Sequence, residues 1–386
     1  MLAPSARPWS REETLGEVLD KRGVSRRDFL AFCAEMGVIL GLGNLAAPRV
    51  AAALQAVRRP PVIWLQLQEC TGCVESVIRT AEPTIGDLVL DLISLDYQHT
   101  LMAAAGHQSE AALRESMERN RGNYILVVTG SIPRAENGIY TTIGGRTAEE
   151  ILVEAAAGAS HVIAVGACAH WGSVQAARPN PTGAVGVDRI VTDKPVVNIA
   201  GCPPIADVVT ATLVHILTFG AVPELDRHGR PLFAYGARIH DQCPRRANFD
   251  AGQFVESFDD EAARRGWCLY RVGCKGPATF SPCPIFLWNT RTSWPIGAGH
   301  PCIGCTEPYF WDTMTPFYGR LPDVAGLGVE SLVDTVGLAL AAGATAGVAA
   351  HAIATGVHQY REQKRGRTLP VLNTPPDGGE GSHGTD

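Results

Sequence analysis

The cysteines of this chain constrain its fold more than any other feature of the sequence. Ten of the eleven cysteines, together with one histidine, fall into three groups with the spacing of metal ligands. The first group is Cys70, Cys73, Cys168 and Cys202; the second group is His240, Cys243, Cys268 and Cys274; the third group is Cys283, Cys302 and Cys305. Thiolates are soft ligands that suit iron–sulfur clusters or zinc. The ligand counts favour two four-ligand clusters and one three-cysteine cluster, and several clusters in one chain indicate electron transfer.

Disulfides and zinc are the alternatives for these cysteines. Disulfide frameworks are typical of small domains that lack a core, whereas this chain has 386 residues, 46% of them hydrophobic, and can bury a large core. Zinc ribbons place two C-x-x-C pairs about 15–20 residues apart, but Cys70–Cys73 and Cys302–Cys305 lie in distant parts of the sequence. The net charge of −6 and the lack of a basic run indicate no nucleic-acid partner.

Residues 1–55 have the pattern of an export signal. Ser25–Leu30 reads S-R-R-D-F-L, a twin-arginine motif, and an apolar stretch follows over Ala31–Leu45. Small residues at Ala51–Ala53 suit cleavage. A basic amphipathic helix is the alternative. Cleavage would remove Cys33 and leave the ten grouped cysteines as the only thiols of the mature chain.

The other end of the chain predicts a membrane anchor over residues 331–358. Its uncharged run, Thr335–Val357, is long enough to span a bilayer core, which needs about 20 residues. Basic residues follow, beginning at Arg361, and by the positive-inside rule they place the tail, residues 359–386, in the cytoplasm. A buried helix of a soluble protein is the alternative.

Between these ends, apolar runs alternate with helical patterns, which predicts a parallel α/β sheet wound on both faces. The expected strands are Val62–Leu65, Leu88–Ile93, Tyr124–Val128, His161–Val165 and Val196–Ile199. The expected helices are Val74–Thr80, Glu110–Glu118, Ala148–Ala157 and Ile205–Phe219.

Three members of the first group follow predicted strands. Cys70, Cys168 and Cys202 each come shortly after a strand end. In an open α/β sheet the ligand site lies beyond the carboxyl ends of the strands. We therefore expect these thiols to meet at one edge, together with Gly130 and Ser131, which follow another strand.

From Tyr235 the strand patterns stop, and Pro, Gly, Trp and Cys dominate. We interpret this region as a second domain held together by metal sites, since metal binding can supply folding free energy. His240 completes a group that otherwise lacks one ligand. Histidine replaces cysteine at some clusters and raises their potential. Pro295 stands where a fourth ligand of the third group is expected, and proline cannot ligate.

The motifs together resemble the small subunit of membrane-bound nickel–iron uptake hydrogenases. The resemblance runs from the twin-arginine signal to the C-terminal helix. It is carried by Glu69–Cys73 (ECTGC), Gly130–Pro133 (GSIP), Asn137–Tyr140 (NGIY), Gly166–Cys168 (GAC), Gly201–Pro204 (GCPP), His240–Arg245 (HDQCPR), Gly273–Pro277 (GCKGP) and Ala298–Cys305 (AGHPCIGC).

This resemblance implies a flavodoxin-like domain over residues 60–234 and an irregular cluster domain over residues 235–325, followed by the transmembrane helix. The first group would hold a proximal four-iron cluster, the second group a distal four-iron cluster and the third group a medial three-iron cluster. The nickel–iron site would belong to a separate large subunit, because both C-x-x-C pairs of this chain are already used.

The resemblance also implies that H2 is oxidised and that this chain passes the electrons to a membrane acceptor such as a cytochrome b or quinone. The chain would lie on the periplasmic side of the cell membrane after twin-arginine export. The alternative is an iron–sulfur subunit of another membrane-associated redox complex. Oxygen-tolerant members of the family carry two extra cysteines, at the positions that Gly72 and Ser173 occupy here, which implies an ordinary oxygen-sensitive proximal cluster.

Overall fold

A five-stranded parallel sheet lies at the centre of the structure, a computed structural model. Its strands are β1 (Pro61–Gln66), β2 (Ser94–Gln98), β3 (Tyr124–Thr129), β4 (Ala159–Val165) and β5 (Val196–Ile199). The spatial order is β2-β1-β3-β4-β5 and every pairing is parallel. This is the flavodoxin-like order. The predicted α/β class is therefore confirmed.

The structure describes residues 14–56, 58–80, 84, 86, 88, 92–321 and 329–366. Described residues up to Leu321 form one compact unit, and those from Val329 onward belong to a second unit. The regular helices are Leu15–Arg22, Arg26–Ile39, Ala47–Ala56, Gly72–Ile78, His107–Arg119, Ala148–Ala157, Ala167–Trp171, Ala206–Phe219, Leu232–Tyr235, Ile239–Gln242, Arg246–Asp250, Glu261–Arg264, Cys283–Phe286, Phe310–Thr313 and Val329–Gly366. Short 3-10 turns occur at Asn44–Ala46, Ala135–Gly138, Val187–Arg189 and Gly276–Ala278, and a hairpin pairs Thr142–Ile143 with Arg146–Thr147.

The sheet is buried on both faces because alternate side chains of each strand enter separate cores. In β1, Val62 and Trp64 belong to one core, whereas Ile63 and Leu65 belong to the other. All residues of β3 are buried. Helices Gly72–Ile78 and Ala206–Phe219 cover the first face, and helices His107–Arg119 and Ala148–Ala157 cover the second. Near-continuous apolar strands are typical of such parallel sheets.

The predicted second strand, Leu88–Ile93, is wrong at the residues that the structure describes. The strand occupies Ser94–Gln98, and Leu88 and Leu92 are not part of it, while residues 89–91 lie outside the described part of the chain. Both leucines are buried in the core of the first face. A short apolar run does not distinguish a buried strand from another buried segment, and here burial of these side chains is satisfied without strand pairing.

Helix Ala148–Ala157 shows why several other predicted bounds agree with the structure. The Thr147 side chain accepts a hydrogen bond from the Glu150 backbone, and the Glu150 carboxylate accepts one from the Thr147 backbone. This capping box satisfies two amides that have no partner within the helix. Helix Ala206–Phe219 ends at Gly220, whose φ of 65° is the left-handed conformation that glycine adopts without strain.

From Tyr235 to Leu321 the described chain contains short helices and turns, with only isolated bridges and no regular strand. Its apolar residues, including Val255, Leu269 and Ile296, share one core with the first face of the sheet. The division into residues 60–234 and 235–325 stays a prediction; residues 322–325 lie outside the described part.

The predicted export signal, residues 1–55, consists mainly of helices in its described part. Residues 1–13 of the signal lie outside the described part of the chain. In helix Arg26–Ile39, Ser25 caps the N-terminus, Arg26 and Arg27 are exposed, and Cys33 is fully buried. This helix and helix Ala47–Ala56 pack against helix Ala206–Phe219.

The C-terminal helix runs from Val329 to Gly366 and contains the predicted anchor, residues 331–358. Its segment Gly337–Arg365 is long and apolar enough to cross a bilayer, judged by length and composition. The predicted tail begins within this helix, and its residues 367–386 lie outside the described part of the chain.

Candidate metal centres

The first group lies at the carboxyl edge of the sheet, as the sequence predicted. Cys70 follows β1, Cys168 follows β4 at the start of helix Ala167–Trp171, and Cys202 follows β5. Cys73 lies in helix Gly72–Ile78. The Ser131 hydroxyl donates a 2.8 Å hydrogen bond to Gln68 in the Cys70 loop. Parallel strands thus bring thiols from distant parts of the sequence to one edge.

The space between these thiols is kept open by glycine. Gly166 has φ +95°, and a Cβ there would collide with Cys73 Sγ. Burial raises the pKa of Cys73, and Glu69 and the three other thiols raise it further. Burial and the Cys202 thiol raise the pKa of Cys168 to about 11. Four thiolates here would require a compensating positive charge, which the iron of a cluster would supply. Cys70 and Cys202 remain exposed.

The second group surrounds a small cavity that is also lined by Ile239, Tyr270 and Ile296. His240 lies in helix Ile239–Gln242, and Cys243 caps its C-terminal end. The Nε2 atom of His240 is buried without a hydrogen-bond partner, and burial lowers the pKa of the ring. A neutral imidazole with a free nitrogen is the form that binds a metal.

Two backbone hydrogen bonds hold Cys268 in this cavity. The Cys268 amide donates to Gln253 and its carbonyl accepts from Val255. Burial raises the pKa of Cys268 to about 12, and the neighbouring thiols of Cys274 and Cys243 raise it as well. The structure therefore brings all four predicted ligands of the second group together.

The third group lines an apolar cavity of about 200 Å³. Cys283 begins helix Cys283–Phe286, and the Gly304 amide donates a 3.3 Å hydrogen bond to Cys302 Sγ. Burial raises the pKa of Cys302 and of Cys305. Pro295 lines the same cavity, so this residue lies beside the three thiols, as the sequence predicted.

The donor sets fit iron–sulfur clusters better than the alternatives. All eleven cysteines are free thiols, which gives no support to a disulfide framework. Among the described residues, no three His, Cys, Asp or Glu side chains lie close enough to hold one metal ion. A zinc ion needs four ligands within bonding distance of one point, whereas a cluster needs thiols around a wider space.

The three groups lie in the order first, third, second. Cys202 of the first group lines the cavity of the third group. Burial and the Cys283 thiol raise the pKa of Cys305, while a hydrogen bond from the Cys202 backbone lowers it. At the other side, the Cys274 thiol of the second group raises the pKa of Cys302. The third group is therefore adjacent to both others.

Two buried cations near these sites had no role in the sequence analysis. Arg230 is 3% exposed and pairs with Asp226 and Glu307 at 2.8 and 3.2 Å. It also donates to the Thr306 carbonyl, next to Cys305. Lys275 is 2% exposed and follows Cys274 directly. Its position in a C-K-G motif was the only signal in the sequence.

Comparison with known proteins gives matches along most of the chain. The family model described as the C-terminal region of the NiFe/NiFeSe hydrogenase small subunit matches residues 235–318. The family described as NADH ubiquinone oxidoreductase, 20 Kd subunit, matches residues 70–216. An uptake hydrogenase small subunit of Azotobacter vinelandii is 52% identical over 92% of this chain and 99% of that protein. The chain belongs to the nickel–iron hydrogenase small subunits.

Other hydrogenases agree with this assignment. The hydrogenase-1 small chain of Escherichia coli K12 is 49% identical over 92% of this chain and 95% of that protein. In the solved [NiFeSe]-hydrogenase of Dm. baculatum, one chain matches with a TM-score of 0.64 and 37% identity, over 68% of this chain and 99% of that chain. The protein is thus one subunit of an oxidoreductase that acts on H2, its partner is a large subunit with the nickel–iron site, and the family implies iron–sulfur clusters.

Proposed function

We propose that this hydrogenase small subunit transfers electrons from H2 oxidation through three clusters to a membrane acceptor. The first group holds a proximal four-iron cluster, the third group a medial three-iron cluster and the second group a distal four-iron cluster. When bound, these clusters supply one-electron carriers. The protein's residues hold them in sequence and separate them from water.

The order of the three groups is the observation that carries this proposal. The third group touches the first through Cys202 and the second through Cys274, so each carrier has one neighbour on the path. Cys70 and Cys202 of the first group are exposed residues, and a large subunit that covers this edge of the sheet would exclude water from the first group. Electrons therefore enter at the first group and leave at the second.

The second group is the proposed exit because its histidine lies beside charged surface residues. Asp241, next to His240, pairs with Arg238 at 2.9 Å, and both side chains of this pair are exposed. A neutral imidazole adds less negative charge to a cluster than a thiolate, which eases reduction. An acceptor protein can approach this surface.

We further propose that the chain is exported by its twin-arginine segment and anchored by the helix around residues 331–358. Exposure of Arg26 and Arg27 supports recognition of the motif by an export machinery. The apolar segment Gly337–Arg365 supports the anchor. Together they give a complex on the periplasmic side of the cell membrane that delivers electrons to a cytochrome b or to quinone.

Iron analysis and electron paramagnetic resonance of the purified complex test the proposal. Two four-iron clusters and one three-iron cluster give about eleven irons per small subunit. We expect an oxidised three-iron signal that disappears when H2 is admitted. Absence of that signal, or clusters that H2 does not reduce, would refute the proposed path.

A second candidate is an iron–sulfur subunit of another membrane-associated redox complex. The match of residues 70–216 to the 20 Kd subunit of NADH ubiquinone oxidoreductase favours it. That match ends before the second and third groups, and the hydrogenase match begins at residue 235. Reduction by H2 distinguishes the two candidates, because only a hydrogenase complex supports it.

A further inference from the structure

Lys275 lies at the junction between the second and third groups. It follows Cys274 in the chain, and its backbone amide donates a 2.8 Å hydrogen bond to the carbonyl of Cys302. Its side chain is 2% exposed. A buried lysine is thus placed between a ligand of one proposed cluster and a ligand of the next.

The Lys275 side chain contacts three backbone carbonyls. Nζ donates to the carbonyls of Gly273 at 2.8 Å and Pro316 at 3.0 Å, and also to the carbonyl of Gly319. A neutral amine has two N–H groups, whereas an ammonium has three. Three carbonyl acceptors therefore match the ammonium.

No carboxylate compensates this charge within the described part of the chain, where the Lys275 side chain has hydrogen bonds only to carbonyls. Burial lowers the pKa of Lys275, and negative charge on the neighbouring sulfur atoms of Cys274 and Cys302 opposes that effect. Burial of a charge without a partner of opposite sign is costly. Thiolate-ligated clusters carry negative charge, and their potentials depend on net charge in the surroundings. The arrangement is therefore favourable when both clusters are present.

We propose that Lys275 is a fixed positive charge shared by the distal and medial cluster sites, and that it raises the reduction potential of both. This inference rests on the proposed electron path. A cation beside two clusters stabilises an added electron on either by Coulomb attraction. Lys275 is a positioning residue for electron transfer: it holds electrons on the two carriers that follow the proximal site.

A purely structural role is the competing explanation, since the same ammonium fixes the chain at residues 316–319. A Cβ at Gly273 would collide with the backbone of Phe317, so this segment packs tightly on the Cys274 loop. The experiment must therefore separate charge from folding.

Redox titration followed by electron paramagnetic resonance, on the whole heterodimer, makes this separation. Lys275→Gln keeps two N–H donors but removes the charge, and Lys275→Arg keeps the charge. Arg119→Gln is the control, because Arg119 pairs with Glu115 at the exposed surface of the sheet domain. We expect Lys275→Gln to lower the medial and distal potentials together, with the proximal potential unchanged. We expect Lys275→Arg and Arg119→Gln to retain the wild-type potentials.

Unchanged potentials in Lys275→Gln, a shift at only one site, or an equal shift in Lys275→Arg would overturn the inference. If Lys275→Gln loses its clusters, Lys275→Arg decides: wild-type potentials support the charge role, and lowered potentials refute it. Cluster loss in both variants would identify Lys275 as a folding clamp instead. A wild-type complex without medial and distal signals would refute the proposed function itself, independently of Lys275.

Discussion

Cys202 and Cys305 lie side by side, although one belongs to the first group of ligands and the other to the third. Both residues line the cavity of the third group, and a hydrogen bond from the Cys202 backbone lowers the pKa of Cys305 against the effect of burial. At this junction the carboxyl edge of the sheet meets the irregular region. In the proposed electron path, the third group is therefore the middle carrier.

The first prediction concerns Pro295, which lines the cavity of the third group with three thiols. Pro295→Cys supplies a fourth thiolate, so we expect the three-iron cluster to become a four-iron cluster with a lower potential. The oxidised three-iron resonance should disappear and the iron content should rise by about one per heterodimer. Pro295→Ala is the control, because it removes the proline without adding a ligand. Persistence of the three-iron signal in Pro295→Cys would contradict the assignment of this site.

His240 is the subject of the second prediction. Its Nε2 atom is buried without a partner beside three cysteines. His240→Ala should slow turnover with the membrane acceptor by at least about tenfold, the scale of losses at perturbed metal sites. Hydrogen–deuterium exchange at the nickel–iron site should stay near the wild-type rate. Arg119→Gln, which breaks an exposed pair with Glu115 on a helix of the sheet domain, serves as the control. Equal losses in both assays would show that His240 does not mark the exit.

The buried Arg230 gives a prediction about stability. Arg230→Met leaves the carboxylates of Asp226 and Glu307 buried without their cation, which costs about 3–5 kcal/mol of unfolding free energy. Since Arg230 also donates to the Thr306 carbonyl, the third cluster should be lost first on heating, seen as an earlier decay of its resonance. Arg264→Gln is a matched surface control whose pair with Glu261 is exposed on both sides, and it should change stability by less than about 1 kcal/mol. Similar thermal behaviour of the two variants would contradict this prediction.

The sequence was sufficient to predict the bounds of helices and strands where the local residue pattern and the burial of the side chains agree. β3, β5 and helix Ala148–Ala157 were predicted at or near their observed bounds, because their residues are apolar in runs or are capped locally. The strand predicted over Leu88–Ile93 was wrong at its described residues, because an apolar run alone does not specify backbone conformation. The positions of Lys275 and Arg230 could not be predicted, since their burial depends on carbonyls and carboxylates that are distant in the sequence.

Membrane attachment gives the next prediction. Truncation after Glu330 removes the apolar segment Gly337–Arg365 and should release a heterodimer that stays soluble without detergent. The clusters should be retained, so reduction of an artificial dye by H2 should persist at the wild-type rate. Quinone reduction in membranes should be lost. Recovery of the untruncated complex in the soluble fraction without detergent would exclude the anchor.

The last prediction concerns oxygen, and it depends on two positions beside the first group. A Cβ at Gly72 would meet only Cys70 Sγ, at 3.3 Å. Ser173 is 4% exposed with φ 49°, and its buried hydroxyl has no hydrogen-bond partner within the described part of the chain. Neither side chain is a thiol, so the proximal site has only its four cysteine ligands.

A cluster with four thiolate ligands and no further thiolate beside it is limited to an ordinary one-electron step. We therefore expect the H2 oxidation current of the wild-type complex on an electrode to fall when O2 is admitted and to recover slowly under H2. The variant Gly72→Cys with Ser173→Cys places thiols at both positions. The new Cβ at position 72 requires Cys70 Sγ to move by a few tenths of an ångström, and at position 173 serine is close in size to cysteine. The double variant Gly72→Cys with Ser173→Cys should retain more H2 oxidation current in O2 than the wild type. The control is Gly72→Ser with Ser173→Ala, which changes both positions without adding sulfur. Sustained wild-type current in O2, with an unmodified proximal cluster, would show that these two positions do not decide oxygen tolerance in this enzyme.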